Sequence, residues 1–249
     1  MSCRISTPTQ NPNRGQQPSR APRSPRALSG SLAPAQFNEP LYSYIVTTMK
    51  TTARGVLEQT GSAPNFDGGR ITLCTCKHKD RATLWLSNDP NDPWKSVWVA
   101  GLTSKTEDPS RSLAYLMRVE RSFMNQWELW NHLPKRCRQA KSASRSALGD
   151  LFEPTDRAKH DPHNPANYRI PISGHVHSPA GNPDAWYHDV MEWGRHRKPH
   201  RLLLGEPEWS FRWPKVEMVM KPGAIGATAH HKVFTTLREF IATLETYEP

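Results

Sequence analysis

The chain has 249 residues, a formal net charge of +10 and 36% hydrophobic residues. It contains no run of about 18 apolar residues, so we expect no transmembrane helix and no membrane partner. The N-terminal arginines are not followed by an apolar segment, so we expect no secretory signal. The four cysteines are too few and too scattered for a disulfide framework. These features together predict a soluble protein in a reducing, cytoplasmic compartment.

The first 36 residues differ in composition from the rest of the chain. They hold five arginines and no acidic residue, and are otherwise mostly Pro, Ser, Gln, Asn and Ala. Such a segment buries too little apolar surface to offset its chain entropy. We therefore predict a disordered tail over residues 1–36, with a single folded domain over residues 37–249. A flexible arm of this kind would neutralise phosphate if the protein binds nucleic acid.

Aromatic and β-branched runs without breakers predict the first strands of the folded domain. These strands span residues 41–49, 70–76, 96–102 and 112–119. The polar loop before the second strand is rich in Pro, Asn, Asp and Gly, the residues that supply turn geometry. After the fourth strand, Phe123, Trp127 and Trp130 recur at helical spacing, which predicts a helix that Pro134 ends.

Residues 135–200 hold few apolar runs and much Pro, Asn, His and Arg, so we expect a long surface loop with short helical turns. Apolar patterning returns at residues 201–204, and a final helix is expected near residues 235–247. The strands are close in sequence and do not alternate with helices as βαβ units do. The expected fold class is α+β, with a mixed or barrel-like sheet and flanking helices.

Five segments read in order carry a resemblance to a known family. They are YSYIV at 42–46, SAPN at 62–65 followed by Gly69, TLCTCK at 72–77, AGLTSK at 100–105 and LAYLMRV at 113–119. Over residues 41–120 the chain resembles the second family of nucleotide-modification-associated domains. Those domains occur in prokaryotes and phages beside DNA-base-modification systems. The strands around Gly101 are also similar, at the level of fold alone, to small barrels of the pseudouridine-synthase-associated (PUA-like) kind, which read modified or flipped bases.

The resemblance, together with the basic charge, implies a nucleic-acid-binding module that recognises a modified nucleotide in DNA modification or phage defence. The expected ligand is DNA rather than RNA, and proteins of a DNA-modification system are expected as further partners. Small loop residues would offer backbone donors, lysines would contact phosphate, and Asn65 and aromatic rings would contact the base. The predicted contacts are Ala63, Pro64, Asn65, Gly68, Gly69, Lys77, Ser104, Lys105, Trp209, Phe211 and Trp213. The opposing interpretation is that the lysines are solvated and the aromatic residues form a strand face in a core.

Two other functions remain open from the sequence. Imidazoles and carboxylates able to bind a metal or act as a base occur at His175, His177, Asp184, His188 and Asp189. They would suit a metal-dependent nucleic-acid-modifying or nucleolytic enzyme. Alternatively, exposed tryptophans would serve a protein-interaction module.

Common cofactor and metal motifs are missing from the sequence. There is no P-loop, dinucleotide-binding glycine pattern, nucleophile elbow or zinc-deaminase pairing, so we expect no cofactor. Cys74, Cys76 and His78 alternate along one strand without a second ligand pair, so we expect core cysteines and no metal.

Overall fold

The structure, a computed structural model, describes residues 21–60, 64–74, 96–104, 111–143, 151, 153–169, 201–224 and 231–248. The helices in these residues are α1 (Pro25–Ser31), α2 (Gln126–His132), α3 (Lys135–Ala143) and α4 (Leu237–Ala242). The strands are β1 (Leu41–Val46), β2 (Met49–Thr51), β3 (Leu57–Gln59), β4 (Thr72–Leu73), β5 (Trp98–Thr103), β6 (Leu113–Phe123), β7 (Leu202–Arg212), β8 (Met218–Met220), β9 (His231–Phe234) and β10 (Leu244–Thr246). Among the described helices, none is long and apolar enough to cross a membrane.

One six-stranded sheet, in the order β4-β7-β6-β5-β1-β9, forms the centre of the fold. Its pairings are antiparallel except that β1 runs parallel to β5. Both central strands β1 and β5 are buried along their whole length, as their continuous runs of aromatic and aliphatic residues predict. The predicted α+β class is therefore confirmed, with a mostly antiparallel, partly mixed sheet.

Short hydrogen-bonded connections extend the sheet beyond β5 and β7. The amide of Ser104, just after β5, donates to the carbonyl oxygen of Met49 in β2 at 3.1 Å. Strand β2 pairs with β3, and the amide of Leu57 in β3 donates to the carbonyl oxygen of Pro214, just after β7, at 2.9 Å. Hydrogen bonds therefore link β7, β6, β5, β2 and β3 in turn, and β3 bonds back to the residue after β7.

Irregular pairing of β6 and β7 creates a bulge at the middle of the sheet. Met117 pairs with Ser210 but Val119 pairs with Gly205, so residues 206–209 lie outside the pairing. A side chain at Gly205 would crowd the Ser210 hydroxyl and Met117, which explains why glycine occupies the start of the bulge.

The prediction of disorder is wrong for residues 21–36, because α1 and a following 3₁₀ turn (Pro34–Asn38) are folded onto the domain. Ser24 caps α1 by accepting from the amide of Ala27 at 3.2 Å. Leu28 on α1 is fully buried in the main core. Leu32, the residue after α1, is buried in the same core, so two leucines anchor this segment. Residues 1–20 lie outside the described residues.

The prediction of a loop after residue 134 is wrong for α3. Its buried face is formed by Cys137 and Lys141, one helical turn apart. A search for apolar periodicity misses this face because one of its two residues is a lysine. The 3₁₀ turns at Asp156–Lys159 and Pro165–Asn167 do match the expected short helical turns.

Several predicted element boundaries also change. The first strand is interrupted after Val46, and the chain resumes as β2. Phe123 ends β6 instead of belonging to the helix, which begins after the capping residue Asn125. The final helix is shorter than predicted, since α4 ends at Ala242 and the chain continues into β10.

Candidate functional site

A row of directly paired residues crosses one face of the main sheet. Tyr44 in β1 pairs with Gly101 in β5, Gly101 pairs with Tyr115 in β6, and Tyr115 pairs with Arg212 in β7. Directly paired residues project to the same side of a sheet. We call Tyr44, Tyr115 and Arg212 the aromatic row.

Gly101 allows the aromatic row to close across β5. A Cβ at this position would collide with the Tyr115 ring, so the ring lies over the glycine. The Tyr115 hydroxyl then donates to the Tyr44 hydroxyl at 2.8 Å, and both rings are almost fully buried. Glycine here is therefore required by the close approach of a ring.

Phe66 joins the exposed end of the aromatic row. Its ring is 5.6 Å from the Tyr115 ring, centroid to centroid, in an edge-to-face arrangement. The guanidinium carbon of Arg212 lies 4.6 Å from the Phe66 ring centroid. Phe66 is half-buried and Arg212 is exposed. The pair therefore presents a guanidinium cation over an aromatic ring.

Two opposing influences act on the charge of Arg212. Burial lowers the pKa of Arg212, while the nearby carboxylate of Asp67 acts in the opposite direction. A guanidinium remains protonated over the physiological range even after such a change. Arg212 is therefore a permanent cation at the edge of the sheet.

Residues 64–70 form the loop that carries Phe66, and we call this segment the Phe66 loop. Asn65 and Thr72 exchange two backbone hydrogen bonds, at 3.0 and 3.1 Å, which bring the ends of the segment together. The Asn65 side-chain oxygen also accepts from the amide of Asp67 at 2.9 Å. Gly68 and Gly69 have φ values of +73° and +75°, which favour glycine.

The buried ammonium of Lys141 fixes the Phe66 loop from below. Its Nζ donates to the Asn65 carbonyl oxygen at 3.2 Å, to the Asn65 side-chain oxygen at 2.8 Å and to the Arg70 carbonyl oxygen at 2.9 Å. Lys141 is 4% exposed. One side chain of α3 thus binds both ends of the loop and supplies the Arg70 carbonyl oxygen with a donor.

Cys137, one turn earlier on α3, packs against the middle of the loop. A Cβ on Gly68 would lie 2.8 Å from the Cys137 Cα, so no larger residue fits there. Burial raises the pKa of the Cys137 thiol, against the opposing influence of Lys141 and Arg70. The thiol therefore stays protonated and acts as a packing group, since a reactive cysteine needs its thiolate form.

Two further arginines near the bulge are already compensated by carboxylates. Arg118 donates to both carboxylate oxygens of Glu39, at 2.8 and 2.7 Å, and also pairs with Glu206. Arg70 pairs with Glu120. Because these guanidinium groups are neutralised within the fold, we assign them a structural role.

Of the predicted aromatic contacts, two lie in the core. Phe211 is 3% exposed and Trp213 is 1% exposed, and the Trp213 indole donates to the carbonyl oxygen of Pro22 at 2.6 Å. The prediction that they stack on a base is wrong, because their rings are already packed against the protein. Trp209 is half-buried on the bulge and packs partly against the main core, so its role stays a prediction.

The predicted loop residues are brought together, but with altered roles. Asn65 is 3% exposed and its side-chain oxygen bonds Lys141 and Asp67, so it shapes the loop instead of contacting a base as predicted. Pro64 is also buried, whereas Gly68 and Gly69 are exposed. Ser104 lies apart in sequence at the end of β5, where its hydroxyl donates to the Met49 carbonyl oxygen at 3.2 Å.

Other predicted site residues lie outside the described residues. They are Ala63, Lys77, Lys105, His175, His177, Asp184, His188 and Asp189. Within the part of the chain that the structure describes, no three His, Cys, Asp or Glu side chains converge as metal ligands do. The enzyme alternative, which depends on the residues from His175 to Asp189, stays a prediction.

The sequence does not predict that one site combines Phe66, Tyr115, Arg212 and Lys141. A signal existed for Tyr115, since Gly101 inside a strand indicates the close approach of a neighbour. No local signal joins Phe66 to Arg212, because only the pairing of β6 with β7 brings them together.

Comparisons of this chain with protein-family models, with curated proteins and with solved structures found no match.

Proposed function

We propose that this chain is a nucleic-acid-binding module that recognises a modified nucleotide, in the setting of DNA modification or phage defence. The observation that carries the proposal is the Phe66–Arg212 pair, whose guanidinium lies 4.6 Å from the ring centroid at the exposed end of the aromatic row. Bases stack on aromatic rings and on arginine guanidinium planes, while the positive charge attracts the backbone.

The rigidity of the Phe66 loop supports recognition of a base. Lys141 and the Asn65–Thr72 backbone pair hold the ends of the loop, and Cys137 fills the space beneath Gly68. A loop held in advance loses little conformational entropy on binding, so more of the interaction energy appears as affinity. Gly68 and Gly69 leave the backbone at the rim accessible to a ligand.

Part of the site lies in the segments that carry the family resemblance. Tyr44, Gly101 and Tyr115 belong to matching segments, whereas Phe66 and Arg212 do not. The connections from β5 through β2 and β3 back to the end of β7 further support a barrel-like fold of the PUA-like kind. We therefore extend the proposal to membership of the nucleotide-modification-associated family and to DNA as the ligand.

The preferred ligand should be single-stranded or mismatched DNA carrying a modified base. Extracting a base from a normal duplex costs a few kcal/mol, and a binding module has no reaction to offset that cost. The cost is smallest where the base is already unpaired. A preference for such DNA over a matched duplex follows.

The test compares Arg212→Ala with Arg238→Ala on labelled oligonucleotides with and without modified bases. Arg238 is a matched control, because it is also exposed and lies 5.0 Å from the ring centroid of Phe37, on a different part of the protein. We expect Arg212→Ala to weaken single-strand binding roughly tenfold and to reduce the difference between ligands, because stacking contributes about 1–3 kcal/mol per base. Equal binding by both variants and the wild type, or no binding by the wild type, would contradict the proposal.

A further inference from the structure

Helix α3 carries cations outside the face that holds the Phe66 loop. Its sequence is KRCRQAKSA, without an acidic residue. Cys137 and Lys141 are buried against the loop, whereas Lys135 and Arg136 are exposed and Arg138 is half-buried. Because Gly68 packs directly on Cys137, the loop and these cations belong to one rigid unit.

The cations of α3 are not neutralised in the way that other arginines are. Within the described ranges, no carboxylate lies within ion-pair distance of Lys135, Arg136 or Arg138, in contrast to Arg70 and Arg118. The exposed charges of Lys135 and Arg136 are therefore available to an external anion.

Helix stability does not explain these charges. The first turn of a helix favours acidic side chains, because the peptide dipoles give it a partial positive charge. In α3 this turn carries Lys135 and Arg136 and no acidic residue. Where a local preference is broken in this way, a functional reason is expected.

We propose that Lys135 and Arg136 contact the phosphate backbone of the same nucleic acid whose base meets the Phe66–Arg212 pair. The inference rests on the proposed function and adds a second surface to it. Phosphate contacts position a nucleic acid, while base contacts distinguish its sequence or modification. In this arrangement Lys141 and Cys137 couple the two surfaces, since they join α3 to the Phe66 loop.

The test compares Lys135→Ala/Arg136→Ala with Lys50→Ala/Arg54→Ala, which removes two exposed cations from the β2–β3 region. Affinity for single-stranded oligonucleotides is measured at several salt concentrations, with thermal melting as a check of folding. We expect the α3 variant to bind every oligonucleotide more weakly, with its preference among them unchanged. The slope of log affinity against log salt should become shallower by about 1.4, because each phosphate contact on a single strand contributes about 0.7.

The outcomes separate this inference from the function on which it rests. If Arg212→Ala abolishes the ligand preference but the α3 variant has the wild-type salt slope, the phosphate surface is refuted and the function stands. Equal loss in the α3 and control variants indicates a general charge effect and refutes the inference. Wild-type protein that binds polyglutamate but no oligonucleotide refutes both proposals and points to an acidic protein partner.

Discussion

The ammonium of Lys141 lies directly beneath Asn65 and donates to both its backbone and its side-chain oxygen, at 3.2 and 2.8 Å. Asn65 is bonded in turn to the amide of Asp67 and to the backbone of Thr72. A lysine on α3 therefore determines the shape of a loop that lies far from it in sequence. The stability of the domain and the affinity for ligand should both depend on this contact.

Replacing Lys141 by Met should destabilise the domain by roughly 1–3 kcal/mol, because the Arg70 carbonyl oxygen and both oxygens of Asn65 each lose a charged donor. Chemical denaturation measures the change. Lys221→Met is the matched control, since the exposed Lys221 also donates to one carbonyl oxygen, that of Ala242 at 2.8 Å. We expect the control to lose less than about 0.5 kcal/mol. Equal effects in the two variants would argue against a special role for Lys141.

Replacing Leu28 by Ala should lower the free energy of unfolding by about 2–5 kcal/mol, because the side chain is fully buried in the main core. Deletion of residues 1–36 should cost at least as much, since it also removes the Pro22 carbonyl oxygen that accepts from the Trp213 indole. Thermal and urea denaturation measure both changes. Ala27→Ser on the exposed side of α1 is the control. A truncated protein as stable as the full chain would show that α1 contributes nothing to the fold.

Much of the central sheet could be predicted from the sequence because its strands are continuous apolar runs. β5, for example, matches the predicted third strand within two residues at its start and one at its end. The spacing of apolar residues does not predict α3, because its two buried positions are Cys137 and Lys141. It also failed at Phe123, whose spacing from Trp127 suits a helix although the residue ends β6.

The site was harder to predict than the fold because its members come from distant parts of the chain. The turn residues of the Phe66 loop predict a loop at this position. The sequence does not indicate its partner Arg212, which lies between two aromatic residues, Phe211 and Trp213, that were expected to stack on a base. The alternation along β7 places Phe211 and Trp213 on the opposite face from Arg212. Pairing of β6 with β7 decides which face meets the loop, and the local sequence does not contain that information.

Replacing Gly101 by Ala should destabilise the domain by about 1–3 kcal/mol, because the new methyl group would overlap the Tyr115 ring. The ring would have to move, so the hydrogen bond between the Tyr115 and Tyr44 hydroxyls should also be lost. Gly30→Ala is the matched control. Nothing lies within 4 Å of a Cβ at Gly30, which is in α1, so that change should be neutral or stabilising. Denaturation midpoints compare the two variants, and equal stability would contradict the predicted overlap.

The carboxylate of Glu206 should make the stability of the domain depend on pH in the weakly acidic range. Burial raises its pKa in the folded state, and Arg118 opposes this change without cancelling it. The folded state therefore binds this proton more tightly than the unfolded chain does. The contribution of Glu206 to stability should fall as pH rises from the ordinary glutamate pKa through the raised value, and then become constant.

Glu206→Gln removes the titrating group, so urea denaturation across this range should give a flatter profile of unfolding free energy against pH for the variant. Glu208→Gln, at an exposed position on the same bulge, is the control for removing a carboxylate from this part of the protein. A profile for Glu206→Gln that keeps the wild-type slope would show that other carboxylates cause the pH dependence.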